Sequence, residues 1–308
     1  MDLNALYRKF VLTIAANKAV TNAAQKYGMR LGASRFVAGE TLDEALRKVK
    51  DLNDRGIMVT LDQLGEGVFE ESMARDMARG IVTMLEGIAR AGVNSNISLK
   101  LTQLGLSFNP SLAAENVTMI VARAKELGNF VRIDMEDTPY TDKTLKIFYD
   151  LRSAGFDNVG IVIQAYLYRS EKDLDDLNKI GTNVRLVKGA YKEPPDLAFP
   201  QKADVDENFR KLARKQLLGG HYIGIATHDE AIINWAKQLV QEHQIDRSKF
   251  EFQMLYGVRQ GLQEQLAKEG YQVRCYVPFG RMWYPYFSRR IAESPQNFWF
   301  VAKNLFKS

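Results

Sequence analysis

Eight times along the chain a β-branched, strand-like run ends in a polar or charged residue, and each time a helical stretch follows. The runs are IMVTLD (57–62), NISLKL (96–101), FVRIDM (130–135), VGIVIQ (159–164), NVRLVK (183–188), YIGIAT (222–227), FEFQML (250–255) and YQVRCYV (271–277). Strands separated by helices pair in parallel, and eight such units close into a (β/α)8 barrel. The polar residues at or near the ends of the runs are Asp62, Lys100, Asp134, Gln164, Lys188, His228, Gln253 and Tyr276. Polar groups are costly inside a strand-rich core, so they mark where the strands open to solvent. In such a barrel the rim at the C-terminal strand ends is where chemistry is assembled.

Length agrees with one barrel and an extension: the chain has 308 residues and single barrels run to about 250. The expected division is a helical extension over 1–55 and a barrel over 56–308. In the extension LYRKFVLTIAANKAVTNAAQKYG (6–28) carries apolar residues at helical spacing and stops at Gly28. TLDEALRKVKDLNDRG (41–56) begins with Thr41 and Glu44, the spacing of a capping box. Both helices precede the first strand and are expected outside the barrel or across its bottom.

The net charge is +5 with a pI near 9.1, and the charges alternate in sign. Nucleic-acid binders concentrate Lys and Arg on one face, so no nucleic-acid partner is expected. The single cysteine, Cys275, excludes an intrachain disulfide and sits in a strand-like run, where packing is its expected role. FVLTIAA (10–16) is too short to span a bilayer, and no signal peptide is evident, so a cytoplasmic protein is expected. Three histidines, His221, His228 and His243, are not spaced as a zinc site, and no metal is expected. A G-x-G-x-x-G, a Walker loop and an H-E-x-x-H are absent, so any dinucleotide must be held by the barrel rim.

Four segments carry chemistry. YVPFGRMWYPYFSRRIAE (276–293) places Arg289 and Arg290 after the last strand behind an aromatic run. Guanidinium forks match a carboxylate, and an aromatic-walled pocket with a cationic floor suits a small amino or imino acid. RLVKGAY (185–191) sets two cations beside Gly189 and Ala190, which fits phosphate or flavin as well as a plain strand end. ATHD (226–229) offers His228 as a hydrogen-bonding group. SLKL (98–101) and RIDMED (132–137) put Lys100 and Asp134 on neighbouring strand ends, where they form a structural ion pair or orient a substrate. A Schiff-base aldolase or lyase using Lys100 or Lys188 is the alternative from another enzyme class. The connection KEPPDLAFPQKADVD (192–206), with three prolines, is a substrate lid or a surface excursion.

Taken together, SLKLTQLG, RIDMED, RLVKGAY, ATHD, FEFQMLYG and YVPFG followed by YFSRRIAE have the order and spacing of the proline dehydrogenase family, a resemblance covering 57–297. It resembles the monofunctional bacterial type, with no aldehyde dehydrogenase module downstream. The resemblance implies a distorted barrel holding FAD and oxidation of L-proline to Δ1-pyrroline-5-carboxylate. Electrons would pass to a membrane quinone, and the product suggests functional coupling to pyrroline-5-carboxylate dehydrogenase. It implies that Arg289 and Arg290 clamp the proline carboxylate, and that Lys100, Tyr276, Tyr286 and Leu255 shape the pocket. Asp134 and Arg185 would organise the catalytic centre, Arg185 near the flavin. Met135, Gln164, Lys188, Gly189, Ala190, Thr227, His228 and Glu293 would hold FAD with Arg185. Lys192 departs from the aromatic residue expected there in many relatives. QNFWFVAKNLFKS (296–308) mixes aromatic residues with lysines, which suits either a peripheral contact with the inner face of the membrane or packing on the barrel wall.

Overall fold

The computed structural model describes residues 32–293 except residue 66, together with Tyr7, Val11, Thr13, Ile14, Asn17, Thr21, Gly28 and Met29. Most of the helix expected over 6–28, and the segment 296–308, lie outside the described residues.

Helix α1 (Leu42–Asn53) comes first, closed at Thr41 by the expected capping box with Glu44. Strands and helices then alternate: β1 (Met58–Gln63), α2 (Glu71–Ala91), β2 (Ser95–Leu99), α3 (Pro110–Glu126), β3 (Val131–Ile133), α4 (Thr138–Ser153), β4 (Val159–Gln164) and α5 (Ser170–Lys179). They continue as β5 (Val184–Val187), α6 (Lys202–Leu218), β6 (Ile223–Ala226), α7 (Glu230–Glu242), β7 (Phe250–Leu255), α8 (Gln260–Lys268), β8 (Val273–Phe279) and α9 (Tyr284–Glu293). Each strand pairs in parallel with the next and β8 returns to β1, so the barrel is closed. The expected architecture is therefore observed. Several strands are shorter than their sequence runs: Lys100, Asp134, Lys188 and His228 lie just past their strands, whereas Asp62, Gln164, Gln253 and Tyr276 lie within theirs.

The distortion has a specific form. Helix α1 packs on β1 and β8, and its Ala45, Val49 and Leu52 join the main core. A helix ahead of the barrel thus covers the seam where a helix following β8 would sit. Helix α9 belongs to a separate apolar cluster, in which Trp283, Tyr284, Tyr286 and Phe287 meet Phe36, Val37 and Leu64 just beyond β1. The indole Nε1 of Trp283 donates to Glu40 Oε1 at 2.9 Å, and Ala38 N–H donates to Pro278 O at 2.9 Å. These contacts hold α9 at the rim.

Inside the barrel the inward-facing positions are polar over much of their length. Arg132 is buried and donates from Nη1 to the carbonyls of Ile161 (3.0 Å) and Asn183 (2.6 Å). Gly160 leaves room for it: a Cβ there would lie 2.5 Å from that Nη1 and 2.4 Å from Asn183 O. Burial, with Arg185 as a second cation nearby, pulls the Arg132 guanidinium down to about 9. Cys275 is buried in β8, and burial pushes its thiol up, consistent with packing.

Candidate active site

Strand ends β1, β2, β3 and β8 bring four polar side chains to one point. Lys100 Nζ lies 3.4 Å from Asp62 Oδ2, 3.3 Å from Asp134 Oδ2 and 3.3 Å from the Tyr276 hydroxyl. Tyr276 OH stands 2.7 Å from Asp62 Oδ2 and 2.9 Å from Asp134 Oδ2. Barrel closure makes this possible, because Asp62 pairs in register with Ser98 on one side and Pro278 on the other. Lys100 and Asp134 meet as expected. Asp62 was legible only as a rim residue, since its link to β8 exists only in the closed barrel.

Charge is distributed unevenly in this group. Burial works against the Lys100 ammonium, yet the carboxylates, Asp62 first and then Asp134, hold it well above the usual lysine range. Burial likewise opposes the Asp134 carboxylate, but Lys100 and Arg185 hold it below its ordinary value. Asp62 goes the other way: burial raises it, and Lys100 does not fully compensate. Tyr276 is pushed well up, first by burial and then by the two carboxylates, so its phenol keeps its proton.

Arg185 in β5 extends the site. Its Nη1 donates to Asp134 Oδ1 at 2.8 Å and to Ser98 Oγ at 3.2 Å, while Nε donates to Gln253 Oε1 at 2.5 Å. The guanidinium lies over the Tyr276 ring, 5.3 Å from its centroid. Its Nη2 is buried and has no hydrogen-bond partner among the described residues. Gln164 Oε1, buried at the end of the neighbouring β4, is likewise without one. A buried donor and a buried acceptor left unpaired on adjacent strands are costly unless a ligand meets them. The edge of an isoalloxazine ring carries both acceptors and an N–H donor, so the residues present fit a flavin.

The other sequence-expected residues spread along the same rim. His228 Nε2 accepts the backbone N–H of Leu255 at 2.9 Å, which leaves Nδ1 as the protonated nitrogen. Burial, then Arg290 and Arg259, pulls this imidazole down to about 4, so it is neutral. Thr227 is buried, and its Oγ1 accepts the Asp229 N–H at 3.1 Å. Met135 is buried, and Leu255, half-buried, pairs in register with Tyr276. Lys188 Nζ is bound to Asp206 Oδ1 (2.5 Å) and Asp229 Oδ2 (3.0 Å). Gly189 has φ +116°, and a Cβ there would meet the Tyr166 ring at 2.2 Å, so the packing of Tyr166 itself demands glycine. Ala190 and Lys192 are exposed.

On α9, Tyr286 is buried, Arg289 and Arg290 are half-buried, and Arg290 lies over the Tyr286 ring, 5.3 Å from its centroid. Glu293 ends the helix, and its side chain lies outside the described residues. Ser98, Glu136, Glu251 and Gln253 were not assigned to the site from sequence. Ser98 Oγ lies 2.6 Å from Asp134 Oδ1, and Glu136 accepts from the N–H and hydroxyl of Thr102 at 3.1 and 2.5 Å. For Ser98, Glu251 and Gln253 the signal was a polar residue two positions from another along a strand, as in S-L-K and E-F-Q; Glu136 lies past β3 in D-M-E.

The proline-bearing connection is tied down. Phe199 N–H donates to Tyr166 O at 2.8 Å and Tyr168 N–H to Leu197 O at 3.1 Å. Glu193 accepts the Thr138 N–H (2.8 Å) and hydroxyl (2.5 Å) at the start of α4.

A sequence model of the family described as proline dehydrogenase matches residues 45–303. The chain belongs to the proline dehydrogenase family. It is 45% identical over 300 residues to proline dehydrogenase 2 of Bacillus subtilis (strain 168), covering 97% of this chain and 99% of that one. It is 44% identical over 309 residues to the proline dehydrogenase of Deinococcus radiodurans, covering 99% of each. Among solved structures it resembles proline utilization A (PutA) of Bdellovibrio bacteriovorus inactivated by N-propargylglycine, with TM-score 0.81 and 26% identity over 94% of this chain. It spans 36% of that PutA chain. The proline dehydrogenase resemblance expected from SLKL, RIDMED, RLVKGAY and YFSRR, and the barrel fold, are thus borne out. Among the described residues, no cluster of three or more His, Cys, Asp or Glu side chains is placed to hold a metal ion. No helix among them is long and apolar enough to cross a membrane.

Proposed function

We propose that the protein oxidises L-proline to Δ1-pyrroline-5-carboxylate with bound FAD. One observation carries the flavin reading beyond family membership: buried Arg185 Nη2 and Gln164 Oε1, on adjacent strands, have no hydrogen-bond partner among the described residues, and Arg185 itself is bonded to Asp134. Gln164, Arg185, Met135 and His228 would meet the ring system. Lys188, Gly189, Ala190, Thr227 and Glu293 would hold the rest of the cofactor.

The protein's share of the chemistry is orientation and electrostatics. Arg289 and Arg290, brought to the rim by α9, bind the proline carboxylate as a paired guanidinium fork. Tyr276, Tyr286 and Leu255 wall the ring, and Lys100 with Asp134 fixes the polar floor. Positioning of this kind supplies a large share of the barrier reduction. A bound flavin would supply the hydride acceptor for the ring carbon next to nitrogen. The substrate amine must first release a proton to solvent, so turnover rises with pH. Electrons leave to a membrane quinone, and the imine product is a substrate for pyrroline-5-carboxylate dehydrogenase. A cytoplasmic protein that touches the inner membrane face is the corresponding location.

The Schiff-base alternative is disfavoured by the lysines themselves. Lys100 is held as an ammonium by two carboxylates, and Lys188 is bound to Asp206 and Asp229. The Lys100 amine is thus kept charged, and the Lys188 amine is engaged by two carboxylates. The direct test is to incubate the FAD-loaded protein with L-proline and a soluble quinone and trap the imine with o-aminobenzaldehyde. The expected result is an adduct that accumulates with time and depends on L-proline; no adduct contradicts the assignment.

A further inference from the structure

Below Arg185 runs a chain of buried polar contacts that the reaction does not itself use. Arg185 Nε donates to Gln253 Oε1 at 2.5 Å, Gln253 Nε2 donates to Glu251 Oε1, and Glu251 Oε1 accepts Arg274 Nε at 2.7 Å. Arg274 Nη1 ends the chain on Val59 O at 2.9 Å. Arg185 and Gln253 are each 4% exposed and Glu251 is 2%, so the stretch from Arg185 to Glu251 lies out of bulk water.

The orientation of the Gln253 amide is doubly determined. Arginine Nε can only donate, so the atom facing it must be the amide oxygen; an ionised carboxylate can only accept, so the atom facing Glu251 must be the amide nitrogen. Glu251 is ionised: burial opposes its charge, but Arg274 outweighs burial and lowers it. Space for the amide comes from Gly224, where a Cβ would lie 2.5 Å from Gln253 Nε2. Gly224 pairs in register with Arg185 on one side and Glu251 on the other.

The consequence concerns the fork of Arg185. Asp134 and Ser98 hold Nη1 and Gln253 holds Nε, and Nη2 is buried with no partner among the described residues. With two of its three nitrogens pinned in one plane, the third has a single direction. Without Gln253, an orphaned Nε–H would turn the guanidinium in search of an acceptor.

We propose that Gln253, oriented by Glu251, is a positioning residue that aims the Arg185 guanidinium at the bound flavin and thereby sets the flavin's reduction potential. The inference rests on the flavin reading above. A fixed positive charge beside the ring favours the electron-rich reduced form, and in a buried site its direction matters more than in water.

The test is the midpoint potential of the purified holoprotein, measured against reference dyes, for wild type, Gln253→Met and Gln253→Asn. Met keeps the shape and loses both hydrogen bonds; Asn keeps the amide but withdraws it by one methylene, so a folding failure of either leaves the other. Each variant is expected to disfavour the reduced flavin about tenfold, a fall of about 30 mV for a two-electron couple. The kcat for L-proline should drop while KM stays near wild type. In an Arg185→Lys background, which has no Nε–H to be oriented, Gln253→Met should leave the potential where Arg185→Lys alone puts it. Folded, flavin-bearing Gln253 variants with wild-type potential, or effects that simply add in the Arg185→Lys background, overturn the inference. A wild-type protein that takes up no flavin overturns the flavin reading, and this inference with it.

Discussion

The backbone N–H of Leu255 donates to Nε2 of His228 at 2.9 Å. This contact commits the imidazole to one tautomer, neutral with its proton on Nδ1, and ties the ends of β6 and β7 together. A histidine whose folded pKa is about 4, against an ordinary 6.5, is harmless above pH 6.5, where folded and unfolded states are both neutral. As pH falls from 6.5 to 4 the unfolded chain gains a proton that the folded state refuses, so stability is lost across that window. The limiting slope is about 1.4 kcal/mol per pH unit from this group. Urea unfolding at pH 7 and pH 5 is expected to show a smaller difference for His228→Gln than for wild type. An equal difference would remove the buried neutral imidazole from the account.

Asp134 joins Lys100 to Arg185, at 3.3 Å and 2.8 Å. Removing it strands part of the buried Arg185 and the half-buried Lys100, and breaking a buried pair costs about 3–5 kcal/mol. Asp134→Ala should therefore lose stability on that scale in urea unfolding, along with turnover of L-proline. A variant as stable as wild type would mean the group is not an ion pair in solution.

Arg289 and Arg290 are predicted to act mainly on substrate affinity. Each charge-assisted hydrogen bond to a carboxylate is worth about 1.5–3 kcal/mol. Arg289→Met or Arg290→Met should raise the KM for L-proline by about 10- to 100-fold, with a smaller change in kcat. Lysine should restore only part of the loss, since it is a point charge and not a planar fork. Steady-state kinetics with unchanged KM would remove the carboxylate clamp.

Gly160→Ala addresses the barrel interior. The added methyl would lie 2.4 Å from Asn183 O and 2.5 Å from Arg132 Nη1. Overpacking of this kind costs about 1–3 kcal/mol. A lowered denaturation midpoint is the expected outcome, and an unchanged midpoint would show that Arg132 has another place to go.

The barrel was legible because strand runs and helical stretches differ in period, and eight repeats of one alternation leave few architectures open. The exchange of α1 for α9 on the wall was not. An amphipathic helix before the first strand and one after the last have the same pattern, and only packing decides which covers the β8–β1 seam. Lys100 and Asp134 could be paired on paper because their strands are consecutive. Asp62 and Tyr276 come from opposite ends of the sequence and meet only on closure. Gln253 was legible only as a rim residue, and Glu251 was hidden: F-E-F-Q alternates as any half-buried strand does, and the interior of a closed barrel turns its polar half inward instead of toward solvent.

The account depends on a flavin that takes electrons from proline in the mouth of this barrel. Its most direct test is anaerobic titration of the purified, FAD-supplied protein with L-proline while the visible absorbance of the flavin is followed. Stepwise bleaching to the reduced form, with pyrroline-5-carboxylate appearing in equal amount, is the predicted result. A protein that takes up no FAD, or a flavin band that L-proline leaves untouched, would contradict it.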